Sequence, residues 1–198
     1  MFYYLRYLRA FICRLHHLKG FGIQSPWAFK MVNDVINCHT PFSYAPEISS
    51  HFGHIDIHTQ RLGRLFYRLS LLIGPTVWHF STFFNDLYSH YVRLGSHSST
   101  CLSLQDGMNV SSSLNCQVLV VSPDMPLAQD LMDGFVSLCS SECILIVLDI
   151  HKTSKHRKLW YELIANPKAG VSFDLFVCGL IFFDHTKSKQ NYTINLTA

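Results

Sequence analysis

The chain has 198 residues and a mass of 22.7 kDa, with 48% hydrophobic and 15% charged residues. Such a composition buries itself, which excludes a disordered chain, and no period of about 20–50 residues recurs, which excludes a repeat architecture. The net charge of +3 hides a basic N-terminus, where Arg6, Arg9, Arg14, Lys19 and Lys30 precede the first acid, Asp34. A nucleic-acid binder would spread that charge over a wider face, so no nucleic acid is expected as partner.

The longest apolar runs are too short to cross a bilayer. The seven cysteines are odd in number and form no CxxC, so they read as small apolar residues of a cytoplasmic protein. In residues 2–18, Leu5, Leu8, Phe11, Ile12, Leu15 and Leu18 follow helical spacing. Arg6, Arg9 and Arg14 interrupt the apolar centre that a signal peptide needs. A basic amphipathic helix can lie on an anionic membrane. Packing on the domain, or on a second copy of the chain, is the commoner fate of such a stripe.

Ser25-Pro26 opens a second helix as N-cap and first helical residue, and Trp27, Met31, Val32, Val35 and Ile36 give it an apolar face. Pro41 and Pro46 bracket a loop, and residues 38–60 read as a polar connector rich in His and Ser. Leu62, Leu65, Phe66, Leu69, Leu72 and Ile73 form a third helix, stopped by Gly74-Pro75. From there strands alternate with helices: strands at 76–81, 101–105, 117–122 and 144–149, with helices at 86–94, 126–138 and 154–166. Strands 171–175 and 180–183 are joined by only four residues. Parallel strands need a crossover of about a dozen, so this pair must be an antiparallel hairpin. The expectation is an α/β, Rossmann-like sheet of parallel strands closed by a C-terminal antiparallel hairpin. Residues 1–74 would be a helical extension packed on the core and 75–198 the α/β domain.

This layout resembles that of class I S-adenosylmethionine-dependent methyltransferases, and more closely a group of small bacterial O-methyltransferase-like proteins. The stretches that carry the resemblance are Gly22-Ile23-Gln24-Ser25-Pro26-Trp27-Ala28-Phe29, Gly63-Arg64-Leu65-Phe66-Tyr67-Arg68-Leu69 and Leu148-Asp149-Ile150-His151. They continue with Trp160 and with the hairpin from Phe173 to Phe183. The resemblance implies S-adenosylmethionine as cofactor and a small-molecule methyl acceptor. Ser81, Thr82, Asp106, Ser122 and Asp124 would line the cofactor pocket, and Asp149 and His151 would face the acceptor.

Three features depart from the family. The turn after the first strand, His79-Phe80-Ser81-Thr82-Phe83-Phe84, has no glycine where backbone should approach a cofactor. The acid expected at the end of the second strand is replaced by Gln105, with Asp106 one residue later. Eleven residues between Gln105 and Gln117 are too few for the strand–helix unit the family places there. The expectation is therefore a degenerate cofactor site and a protein that resembles a transferase without necessarily catalysing, a pseudoenzyme. Two alternatives stand beside it: an inert scaffold binding a partner, or forming a homo-oligomer, through its N-terminal helices, and a peripheral membrane protein anchored by residues 1–19.

Other motifs are weaker. Asp149 can equally cap a loop and His151 be solvated. His51, His54 and His58 with Asp56 have the spacing of a metal site if 54–58 is a strand, but the ligand set is incomplete, and no metal site is assigned. Cys139 and Cys143 read as core. No nucleophile elbow, P-loop or dinucleotide fingerprint occurs.

Overall fold

The computed structural model describes residues 22–103 and 116–197, together with Ile12. The basic stripe of residues 2–18, apart from Ile12, lies outside the described residues, as do Gln105 and Asp106.

The first helix, α1 (Pro26–Met31), starts at Ser25, whose hydroxyl accepts a hydrogen bond from the Ala28 N–H, and it runs on into a π-helical turn, Val32–Ile36. A short helix, α2 (Ala45–Phe52), corrects the expectation of a connector over 38–60. Pro46 lies in its first turn rather than in a loop, and Ile48 is its one buried residue, which is too little to leave an apolar stripe in the sequence. Helix α3 (Ile57–Ile73) starts five residues before Leu62. The Asp56 carboxylate accepts from the N–H groups of His58 and Thr59 at 2.9 and 3.1 Å, so 54–58 is a helix start and not the strand considered for a metal site.

Strands β1 (Val77–Ser81), β2 (Thr100–Ser103), β3 (Val118–Val121) and β4 (Ile144–Leu148) alternate with helices α4 (Asn85–Gly95) and α5 (Ala128–Leu138). Helix α6 (Ser154–Ala165), strands β5 (Val171–Asp174) and β6 (Cys178–Phe182), and an additional strand β7 (Gln190–Thr193) complete the chain. The strands form one mixed sheet in the order β2-β1-β3-β4-β6-β5-β7. Strands β1 to β4 are mutually parallel, β6 is antiparallel to both β4 and β5, and β7 is parallel to β5. The fold is α/β and compatible with a Rossmann-like arrangement.

Alternation along the strands divides the core in two. Trp78, Phe80, Val118, Val120, Ile146, Leu180 and Phe182 face α1, α3 and α4, whereas Leu119, Val121, Leu145, Val147 and Ile181 face α5 and α6. Helix α1 and the π-turn are fixed from two sides. Arg68 of α3 donates to the carbonyls of Val35 and Ile36, the orphan acceptors at a helix end. The Asn37 amide donates to the Asn195 carbonyl at 2.8 Å and accepts from the Thr197 N–H at 2.9 Å, joining the two ends of the described chain. Among the described residues no helix is long and apolar enough to cross a membrane.

One close approach holds α6 on the sheet. A Cβ at Gly179 of β6 would lie 2.4 Å from the ring of Trp160, a side chain only 1% exposed. Gly179→Ala must therefore displace a fixed indole, and we expect a loss of about 1–3 kcal/mol in urea unfolding. A loss below about 0.5 kcal/mol, the range of ordinary surface substitutions, would show that α6 is free to shift.

Candidate functional site

In an open α/β sheet the crevice beyond the carboxyl ends of the parallel strands is the natural ligand site. Here a cavity of about 200 Å³ lies there, on the α3–α4 face. Helix α3 contributes Asp56 from its cap, then His58, Thr59 and Leu62; α4 contributes Tyr88; the turn between β1 and α4 contributes Phe83 and Phe84. Ser122 after β3, Leu148 and Asp149 at the end of β4, and Val177 before β6 close it.

Asp149 stands in the left-handed conformation, φ 54°, which Asp tolerates better than most residues. Its N–H donates to the Val177 carbonyl at 2.7 Å, and its carbonyl accepts from the Lys152 N–H at 2.9 Å. The peptide is thus fixed and the carboxylate turned into the cavity. Burial pushes its pKa up, and the charge of Asp124 adds to this, while Lys152 and His156 act in the opposite direction. Both of those groups also contact Asp124: Lys152 Nζ lies 2.6 Å and His156 Nε2 3.2 Å from its carboxylate. The Lys152 hydrogen bond holds Asp124 below the usual carboxylate range. Ser122 is 1% exposed, and its hydroxyl has no hydrogen-bond partner among the described residues. Tyr88 is buried, which pushes its phenol up. Burial raises the Asp56 carboxyl too, but hydrogen bonds from Thr59 and His58 outweigh it, and its pKa is lowered.

The residues singled out in the sequence are dispersed by the fold. Asp149 and Ser122 meet in the cavity. His151 does not join Asp149: its Nε2 lies 2.7 Å from the Asp174 carboxylate and its ring stacks on Phe176 at 5.0 Å, among buried residues. Asp124 is exposed in the ion pairs just described. Ser81 falls on the side of the sheet opposite Phe80. Its carbonyl accepts from the Ser122 N–H at 2.9 Å.

Thr82 is occupied within its own turn. The Thr82 N–H and hydroxyl both donate to Asn85 Oδ1, at 2.9 and 2.8 Å, and the Phe84 N–H donates to the Thr82 hydroxyl at 3.2 Å. The histidines are separated as well, with His51 stacked on His90 at 5.6 Å and His58 at the cavity. Among the described residues no three His, Cys, Asp or Glu side chains are placed to hold a metal ion. The six described cysteines are free thiols, and burial raises Cys116 to about 12.

Thr59, Leu62, Tyr88 and Val177 are cavity residues that no motif marks. Each lies in an element whose distance from Asp149 is set only by the sheet order. An N-cap Asp before a Thr was the one local sign, at Asp56 and Thr59.

Comparison with family models, with curated proteins and with solved structures finds no match to this chain.

The described residues do not fit S-adenosylmethionine in the manner the resemblance implies. In the β1–α4 turn, where a cofactor would need free N–H groups, those of Thr82 and Phe84 are taken by Asn85 and Thr82. Phe83 and Phe84, 67% and 50% exposed, stand in the crevice between the cavity and a shallower hollow toward Ser103 of β2. The cavity itself is below the range of about 300–1,000 Å³ usual for drug-sized ligands.

Replacing Asp149 by Asn keeps the left-handed residue and removes the unpaired charge. We expect Asp149→Asn to stabilise the protein by about 1 kcal/mol at pH 7 in thermal unfolding. A raised carboxyl pKa penalises the folded state above that pKa, so the gain should be full there. It should shrink as the pH falls through the folded-state pKa toward the unfolded value. A gain that grew on acidification would contradict this assignment.

Proposed function

We propose that the chain is a class I methyltransferase-like protein of the small bacterial O-methyltransferase kind that has given up S-adenosylmethionine-dependent methyl transfer and binds a smaller ligand at the same strand ends. The observation that supports the kinship is the sheet order. A parallel series ends in β4, and the antiparallel β6 is inserted between β4 and β5. That placement needs the chain to pass beyond its neighbour and return, which a simple doubly wound sheet does not do. Fold alone does not carry activity, and the site must be read separately.

The site supports the loss. A glycine-rich turn leaves its N–H groups free and its surface bare, so that a ligand backbone or phosphate can come close. In this chain the Thr82–Asn85 pair satisfies the turn from within, and two phenylalanine rings occupy the approach. Recognition of a polar cofactor fails when its partners are already paired, because each displaced hydrogen bond must be broken first. The cavity keeps an acid, hydroxyls and apolar walls, which suits a ligand far smaller than a nucleoside.

Calorimetric titration of S-adenosylmethionine and S-adenosylhomocysteine into the full chain tests the reading. No saturable heat is expected below about 1 mM. Binding in the micromolar range would overturn the loss of cofactor and direct attention to an acceptor screen.

A further inference from the structure

We infer that the strand-end cavity is a binding site for a small organic primary amine, held as its ammonium ion between Asp149 and Ser122. Three observations converge on it. The first is charge. The Asp149 carboxylate faces the cavity without a hydrogen bond from a described residue, and among the described residues no Lys or Arg side chain lines the walls. The titratable groups around Asp149 are Asp124, Lys152 and His156, with Asp56, His58 and Tyr88 across the cavity. Lys152 and His156 both contact Asp124, so among the described residues no basic side chain is in direct contact with the Asp149 carboxylate.

The second is Ser122, 1% exposed, which lines the same cavity and whose hydroxyl has no partner among the described residues. A buried hydroxyl left unpaired costs about 1–3 kcal/mol, a cost that a donor or acceptor in the cavity removes. Register places Ser122 beside Leu148, one residue before Asp149, because Val121 pairs with Val147. An ammonium group has three donors, enough to serve a carboxylate and a hydroxyl together.

The third is the wall. Phe83, Phe84 and Tyr88 offer aromatic faces, which attract cations. Leu62, Leu148 and Val177 suit a short hydrocarbon body. An anion meets the carboxylates of Asp56 and Asp149 with no Lys or Arg of the described residues on the wall, and a neutral isostere adds no charge to balance them. The volume of about 200 Å³ limits the ligand to a fragment carrying one ring or a short chain.

The inference stands on this cavity alone and survives if S-adenosylmethionine proves to bind. Benzylamine and benzyl alcohol are matched probes that differ in charge. Titrated into the full-length protein near pH 7 at low salt, benzylamine should give a saturable isotherm and raise the melting temperature. Benzyl alcohol should bind at least about tenfold more weakly. Asp149→Asn should weaken benzylamine about tenfold or more and abolish the preference over the alcohol. Ser122→Ala, which leaves the charge in place, should weaken it severalfold and keep the preference, and it serves as the test should Asp149→Asn fail to fold. Equal binding of the two probes, binding unaffected by both substitutions, or no benzylamine binding up to about 10 mM would overturn the proposal.

Discussion

The chain leaves β4 through a left-handed residue, and the surrounding elements are fixed at that exit. The Asp149 N–H bonds to Val177, continuing the antiparallel β4–β6 ladder one residue beyond the Leu148–Cys178 pair. The Asp149 carbonyl accepts from the Lys152 N–H and lies 3.0 Å from His156 Nδ1, on the first turn of α6. One peptide therefore joins the sheet seam, the following turn and the start of a helix. Ile150, fully buried, is sent back into the core, while the carboxylate is sent the other way. For the backbone alone glycine would serve better, since it has no Cβ to strain at positive φ. A half-buried carboxylate kept at such a place without a hydrogen bond is the kind of local inconsistency that marks a site.

The contrast with neighbouring acids sharpens the point. Asp174 is more deeply buried than Asp149, and both of its oxygens are used: one accepts from the Phe176 N–H at 2.9 Å and the other meets His151. Phe176 is itself left-handed, φ 70°, and its ring carries the His151 imidazole. Asp174 and His151 thus brace the tight connection between β5 and β6. Asp124, exposed, collects Lys152 and His156. Of the three acids around the end of β4, two are satisfied by structure and one is left to the cavity.

Much of this was legible in the sequence, and what was not has a physical reason. Strands β3, β4 and β6 are buried on both faces and read as continuous apolar runs. The short connection from β5 to β6 allowed only an antiparallel pair. Strand β7 escaped notice because it is an edge strand with polar, exposed residues, as edge strands often are. The start of α3 was hidden because Ile55 and Ile57 alternate with polar residues as on a strand, until the Asp56 cap is seen. In the site, Asp149 and Ser122 were visible as strand ends. Thr59, Tyr88 and Val177 were not, because only the sheet order brings them there. The pairing of Asp149 with His151 failed for a local cause: a left-handed residue between strand and turn sends side chains two apart in different directions.

The turn after β1 decides what the crevice can accept. A strand entering a helix through a glycine-rich turn presents bare N–H groups, and the helix dipole then favours an anionic or phosphate-bearing ligand. Here the turn is closed on itself by the side chains of Thr82 and Asn85, so that recognition surface is spent within the fold. The rings of Phe83 and Phe84 are left exposed as a consequence, and they wall the cavity on one side and the hollow toward β2 on the other. On the proposed reading, selection at this crevice rests on size and on the Asp149 charge. A ligand that brings its own positive charge satisfies that carboxylate without opening the turn. An anionic one would have to break these pairings before it gained the N–H of Thr82 or Phe84.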